Sequence, residues 1–375
     1  MLWLLLTWLA TPVLLPLAAL RRKVVIRRVL VIQTAKIGDF VSTTPVFRAI
    51  KQLLPGAHVT VLVNPVTAPL AAKLDSIDEV VSLPTGGFRG LKGKGWLYRL
   101  LVRSFDAVIV LSPNLSTFLL PLWARIPRRI SVLPDRRKGS ARLAWPLLTY
   151  GEPHIHGQLF RITALQALRG LGVPGVADLL ALPNEIPQPS TEAVQRAKAI
   201  LAPEAGPYLG VGISAGNTMK ALPPSVLFSL VDGFLSQTNA RVVLIGTSQD
   251  SRLANEILAR FGSERVIDAT GRWTLEDLPA LLAQLDAYVG VDSGVTYMAD
   301  AAGVPVIDIM GPADPLDQRP LGAKAIVVPS EPECAPCSHA FDAPYQCRHS
   351  HRACLNVPVA DVISLLRSVI ISAKE

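Results

Sequence analysis

Short apolar runs alternate with helix-spaced patterns along most of this chain. Arg28 to Gln33 (RVLVIQ), with its continuous apolar run Val29–Ile32, reads as a buried strand, and the spacing predicts a helix over Thr44–Leu54, stopped by Pro55-Gly56. His58–Val63 and Ala107–Leu111 read as further strands. The stretch Val173–Pro189 carries Pro174, Pro183, Pro187 and Pro189 and reads as a linker. Beyond it the rhythm resumes, with strands at Tyr208–Ile213, Arg241–Ile245, Ala287–Val291 and Pro305–Ile309. Helices are predicted at Pro223–Gln237, Ser251–Phe261 and Leu275–Leu285, with a closing helix near Val359–Ile371. A repeating βα order predicts parallel, doubly wound sheets, so the expected fold is α/β with two Rossmann-like domains facing a cleft. The expected layout is a hydrophobic segment over 1–23, one domain over 24–188, a second over 189–357, and a terminal helix over 358–375.

The first twenty residues contain no charge, and Arg21, Arg22, Lys23, Arg27 and Arg28 follow at once. A helix of that length covers about 30 Å, one hydrocarbon core. Basic residues after the apolar run, rather than before it, argue for a membrane-anchor helix with the rest of the chain on the cytoplasmic side. Pro12 and Pro16 disfavour a straight span and leave a re-entrant anchor open. Charge reinforces this reading. Residues 21–150 hold 21 Lys/Arg against 6 Asp/Glu, although the net charge of the whole chain is only +8. A basic first half suits an anionic membrane surface or a phosphorylated substrate. The loops Arg125–Arg129 and Arg136–Arg142 supply candidate contacts to lipid or acceptor phosphates, with Arg128, Arg129, Arg136 and Arg137 chief among them. The basic residues are scattered and no nucleic-acid-binding motif accompanies them, so a nucleic-acid partner is not expected.

Three segments carry the candidate chemistry. Thr34-Ala35-Lys36-Ile37-Gly38-Asp39 follows the first strand, where ligands bind in such sheets. Asp39, just ahead of a helix start, either acts as a general base or caps that helix. Lys36 is a candidate acceptor contact. Gly210 to Thr218, followed by Lys220, is a strand entering a small-residue loop. Ser214, Gly216, Asn217 and Thr218 there are candidates to hold a phosphate, with Lys220 adding charge. Gly210, Gly212 and Ala215 also match the dinucleotide pattern G-x-G-x-x-A, but no helix opens directly at the loop. In the third segment, Val289 to Tyr297, a strand ends at Asp292 and a helix starts near Gly294. The backbone N–H groups there, with Ser293, suit a diphosphate, while Asp292 suits sugar hydroxyls or a helix cap.

The segment VLVIQTAKIGDFVSTTPVFRAIKQLLPGAHVTVLV resembles the opening of glycosyltransferase family 9, the bacterial ADP-heptose:lipopolysaccharide heptosyltransferases. The segment GVDSGVTYMADAAGVPVIDIMGPADP resembles that family's donor-site stretch, D-[ST]-G-x-x-H followed by G-P-x-D-P. The resemblance implies a GT-B fold and inverting transfer without a catalytic metal. It implies that Asp39 is the base acting on the acceptor hydroxyl, and that Lys220 lies near the donor phosphates. It implies further that Asp292, Ser293 and Gly294 form the donor turn, with Asp250 loosely matching an acidic nucleoside contact. The implied donor is ADP-heptose and the implied acceptor a lipid-linked glycan such as lipopolysaccharide core, at the cytoplasmic face of a bacterial inner membrane. One departure stands out: Tyr297 occupies the position of the family histidine, which weakens the assignment of the donor sugar. A nucleotide-sugar epimerase, or a membrane scaffold with a degenerate donor site, is the alternative.

All four cysteines fall in one segment, Cys334-x2-Cys337-x9-Cys347-x6-Cys354. A structural zinc, free thiols and disulfides all remain open readings of that spacing.

Overall fold

The computed structural model describes residues 2–23, 25–88, 90–103, 105–134, 140–201, 206–349 and 351–372. The chain divides into two compact units, residues 1–36 with 42–184 and residues 37–41 with 185–375.

The first unit is built on β1 (Arg28–Gln33), β2 (His58–Val63), β3 (Glu79–Ser82), β4 (Ala107–Val110), β5 (Arg128–Leu133) and β6 (Tyr150–Pro153). These run parallel in the order β3-β2-β1-β4-β5-β6. Its helices are α1 (Leu2–Leu20), α2 (Ile37–Leu53), α3 (Ala68–Ala71), α4 (Gly90–Leu101), α5 (Leu115–Trp123) and α6 (Phe160–Gln166). Only the first turn of α2, Ile37–Val41, belongs with the second unit. Leu30, Ile32, Leu62, Val108 and Val110 from the central strands form one core with Leu97, Leu101 and Leu120 of the helices.

The second unit carries β7 (Tyr208–Gly212), β8 (Arg241–Ile245), β9 (Val266–Asp268), β10 (Ala287–Val291), β11 (Val306–Ile309) and β12 (Ala325–Val328). Its helices are α7 (Thr191–Ile200), α8 (Pro224–Gln237), α9 (Ser251–Phe261), α10 (Leu278–Leu282), α11 (Gly294–Ala301) and α12 (Val359–Ser372). Its sheet order, β12-β11-β10-β7-β8-β9, is all parallel and repeats the topology of the first sheet. Each sheet therefore reverses its winding direction beside its own first strand. That reversal opens a crevice at the carboxyl ends of β1 and β4, and another at those of β7 and β10.

The structure corrects two expectations. Helix α2 begins at Ile37, not Thr44, so Asp39 lies inside the first helical turn rather than ahead of it. Arg128 and Arg129 are not on an exposed basic loop. They open β5 and are 7% and 4% exposed. The Arg129 guanidinium donates to the carbonyls of Leu147 and Ile126, and burial brings its pKa down to about 10. Arg128 donates to the Lys23 carbonyl. Both side chains are buried and turned onto backbone carbonyls of their own unit, not presented on an exposed basic loop. Arg136 and Arg137 lie outside the described residues. The expected N-terminal apolar helix forms as α1, and it packs on the first unit. Leu4, Leu14 and Ala18 pack into a cluster with Phe118, Leu119 and Leu122 of α5 and with Ala144 and Leu147.

Candidate active site

The crevice of the second sheet gathers two of the three segments singled out in the sequence. The loop after β7 carries Ser214 to Lys220, and the turn after β10 carries Asp292 and Ser293. Strands β7 and β10 are neighbours, so residues distant in sequence meet at the switch point. Lys220 Nζ pairs with Asp292 Oδ2, and the Tyr297 hydroxyl donates to Asp292 Oδ1 at 2.7 Å. Asp292 is only 8% exposed, and Tyr297, in the second turn of α11, is 1% exposed. A carboxylate this buried needs its charge met, and the lysine and phenol together do so. Burial draws the Lys220 ammonium down, but Asp292, reinforced by Asp39 and Asp308, outweighs it and holds the pKa above the usual lysine value. Burial, then the negative charges of Asp292 and Asp308, push the Tyr297 phenol well above its ordinary range, so it stays a hydrogen-bond donor.

The first turn of α2 belongs to the same unit and abuts this constellation. A Cβ at Gly38 would sit 3.4 Å from the Tyr297 ring, and one at Gly294 would sit 2.5 Å from the Ile37 side chain. Glycine at 294 is thus required by the close approach of two helix starts, those of α2 and α11. Asp39 is one residue further into that α2 turn and acts electrostatically on both Lys220 and Tyr297. As the acidic residue in the first turn of α2, it lies where the helix dipole is favourable to negative charge. Ser293 is the residue before α11 and its hydroxyl contacts Thr296 Oγ1 at 3.1 Å, so its side chain does not cap the helix. The backbone N–H groups of that first turn are oriented to receive an anion.

Other predicted residues have structural occupations. Asn217 is buried, donates to the Pro344 carbonyl at 2.9 Å and accepts from the Met219 N–H. The Thr218 carbonyl receives Arg352 at 2.7 Å, and Arg352 also donates to the Ala221 carbonyl. Both bonds tie the cysteine-rich segment to the loop that carries Lys220. In the same loop Gly216 is exposed and Ser214 half-buried. Asp250 folds its carboxylate back onto the Thr247 N–H and hydroxyl as a cap. Lys36 immediately precedes α2 without capping it through its side chain. The match of Gly210 and Gly212 to a dinucleotide fingerprint has a packing explanation. A Cβ at Gly212 would lie 2.2 Å from the Tyr288 hydroxyl, and one at Gly210 would lie 3.0 Å from the same ring. These glycines make room for a fully buried tyrosine on the neighbouring strand.

The sequence reading missed a network behind Thr34. Buried Gln33 donates to Thr43 Oγ1 at 2.8 Å and accepts from Ser112 Oγ at 2.6 Å, while Ser112 accepts from the Thr34 N–H. This pins the loop after β1 to the loop after β4. A buried glutamine ending an apolar strand was the available signal. It also missed Asp308, a wholly buried acid on β11. The four cysteines are free thiols. Burial and then the neighbouring thiols raise the pKa of Cys337 and Cys354, and no three of the four sulfurs gather within ligand distance of one another. Among the described residues of this unit, Asp314, Asp317 and His339 converge more closely, with His339 Nδ1 3.2 Å and 3.3 Å from the two carboxylates.

Comparison with known proteins agrees with this geometry. The model of glycosyltransferase family 9 (heptosyltransferase) matches residues 97–346. Lipopolysaccharide heptosyltransferase 2 of Salmonella typhimurium is 26% identical over 322 residues, covering 80% of this chain and 87% of that protein. The structure of the E. coli ADP-heptose LPS heptosyltransferase II superposes with a TM-score of 0.70 at 21% identity, covering 93% of this chain and 100% of that one. A family 9 glycosyltransferase from Veillonella parvula gives 0.72 at 19% identity, over 93% and 99% of the two chains. The fold is GT-B, two Rossmann-like units in one chain. The chain belongs to glycosyltransferase family 9 and is a glycosyltransferase.

Proposed function

We propose that this chain transfers heptose, with inversion, from ADP-heptose to a lipid-linked glycan of the lipopolysaccharide core type, at the cytoplasmic face of the inner membrane. The observation that carries the reading is the constellation of Asp39, Lys220, Asp292 and Tyr297 at the switch point of the second sheet. Asp39 takes the proton from the acceptor hydroxyl as that oxygen attacks the anomeric carbon from the face opposite the leaving group. The bond from the anomeric carbon to the diphosphate breaks, and the departing oxygens are received by the N–H groups at the start of α11, by Ser293 and by Lys220. Lys220 must then share its charge between Asp292 and the diphosphate, so donor binding is an exchange of partners. The names of the relatives, a lipopolysaccharide heptosyltransferase, an ADP-heptose LPS heptosyltransferase and a heptosyltransferase with ADP-2-deoxy-2-fluoro heptose, support the choice of donor and acceptor. The basic balance of residues 21–150 supports the membrane location.

The transfer step requires no metal in this reading. The one metal role proposed is structural: Cys334, Cys337, Cys347 and Cys354 would have to draw their sulfurs closer together to hold a thiophilic ion such as zinc. Metal analysis of the purified protein with its thiols intact decides this: absence of metal rejects it. The transferase reading is tested with Asp39→Ala. It abolishes transfer from ADP-heptose while the ADP-induced thermal shift persists. Turnover at the parent rate in that variant, or no response to any ADP-sugar in the parent, overturns the reading.

A further inference from the structure

Among the described residues, two segments are long and apolar enough to cross a membrane by composition, α1 and Ala353–Ile370, which contains most of α12. Their outer faces differ. Helix α12 buries Val362, Ile363, Leu366 and Ile370 and turns Asp361, Ser364, Arg367 and Ser368 to solvent. It is an ordinary amphipathic helix covering the second sheet. Helix α1 also buries one stripe, Leu4, Thr7, Leu14 and Ala18. Its opposite stripe is Leu2, Leu5, Leu6, Leu9, Val13 and Leu20, exposed at 68%, 57%, 46%, 78%, 62% and 83%. The spacing of these residues places them on one side of the helix, facing away from the protein. An unbroken apolar ridge of this kind has no polar water-facing side and marks a surface meant for another phase.

The inner stripe is held along almost its whole length. Trp3 meets Trp123 edge to face at 6.3 Å, Trp123 Nε1 donates to Thr7 Oγ1 at 2.9 Å, and Trp8 Nε1 donates to the Leu143 carbonyl. Arg21 closes the far end on the Ala124 carbonyl. The ridge is flanked by cations. Lys94 lies over the Trp3 ring at 5.6 Å, Arg142 adjoins exposed Leu143, and Arg21 and Arg22 follow the last turn. If the docked helix stood across a bilayer, Lys94 and Arg142 would be carried toward the hydrocarbon with it. If it undocked, Leu14, Phe118, Leu119 and Leu122 would be laid bare.

We propose that α1 is an in-plane membrane-binding element: it lies flat on an anionic lipid surface by its outward ridge, stays docked on the first unit by its inward stripe, and does not cross the bilayer. Apolar penetration and a basic rim are the two ingredients of such binding. The proposal rests on the membrane location in the proposed function and specifies its topology.

The test uses the full chain with an N-terminal epitope. Purified protein is sedimented with vesicles of phosphatidylcholine alone or of phosphatidylcholine with phosphatidylglycerol. Preference for the anionic vesicles is expected, and the variant Leu9→Glu/Val13→Glu should weaken it roughly tenfold or more with Tm unchanged. In inverted inner-membrane vesicles, added protease should remove the epitope together with the body of the protein. An epitope protected until detergent is added establishes a span and overturns the proposal. Vesicle binding indifferent to the double variant, or self-association of the chain in place of lipid binding, also overturns it. Transfer to a delipidated, soluble acceptor fragment is measured in parallel. Its loss while vesicle binding persists counts against the transferase reading alone.

Discussion

Tyr297 donates its hydroxyl to Asp292 Oδ1 at 2.7 Å while Lys220 closes on the other oxygen of the same carboxylate. The two partners do unequal work. Lys220 neutralises a nearly buried charge, and Tyr297 fixes its direction. Removing the lysine alone strands the carboxylate, at a cost of about 3–5 kcal/mol for a buried pair broken on one side. Lys220→Met should therefore lower Tm strongly, and Lys220→Met/Asp292→Asn should recover much of the loss, because no charge is left unpaired. Equal and additive losses in urea titrations of the three variants would show that the pair is not coupled.

Tyr297→Phe keeps the ring that packs against Gly38 and deletes only the donor. A hydrogen bond to a charged acceptor is worth about 1.5–3 kcal/mol, and a stability loss of that size is expected. Because Asp292 then leans wholly on Lys220, release of the lysine to a diphosphate becomes harder. The donor KM should rise more than kcat falls. A fall in kcat at unchanged KM would place Tyr297 in the transition state instead.

Gly212→Ala tests whether the glycine-rich strand β7 serves packing or phosphate. The added methyl would meet the Tyr288 hydroxyl at 2.2 Å inside a filled core. Overpacking of this kind costs about 1–3 kcal/mol. Tyr288→Phe in the same chain removes the nearest atom and should return part of the stability, with donor affinity moving only as far as the fold does. Failure of Tyr288→Phe to help, together with selective loss of nucleotide binding, would restore a phosphate-contacting role for the strand.

Much of this architecture was legible because buried parallel strands are continuous apolar runs. β1, β2, β8 and β10 fall where RVLVIQ, HVTVLV, RVVLI and AYVGV predict them. Of the strands that escaped, β12 (AIVV) is apolar but only four residues long, and the others lack the pattern. β5 opens with two arginines, β6 is Tyr-Gly-Glu-Pro, and β9 has three residues, so their pairing is imposed by neighbours already in place. The start of α2 was misjudged because Ile37-Gly38-Asp39 has poor helix propensity, whereas the tertiary contact of Ile37 with Gly294 holds the turn. Among site residues, Asp39, Lys220 and Asp292 were readable from their motifs. What no motif could show was the division of labour around them: Asn217 and Arg352 fastening the cysteine-rich segment, and Arg129 folded inward.

Asp308 gives the strongest pH signature. It is 0% exposed on β11, and neither carboxyl oxygen has a hydrogen-bond partner among the described residues. Burial first, and then the charges of Asp292 and Asp300, push its pKa well above the usual carboxylate value; Lys220 opposes this only in part. The folded protein therefore keeps a proton that the unfolded chain releases above its ordinary carboxyl pKa of about 3.9. Between those two pKa values the unfolded state binds fewer protons, so stability falls as pH rises through that window. Asp308→Asn carries no ionisable proton and escapes the effect. At neutral pH it should be more stable than the parent, with Tm higher by at least about 2–4 °C, the size of a 1 kcal/mol gain in a domain this long. The gap should narrow steadily as pH is lowered toward the unfolded carboxyl value. Thermal melts of the two proteins across that range measure it directly, and a gap that stays constant, or widens toward acid, would mean that Asp308 is ionised in the folded chain.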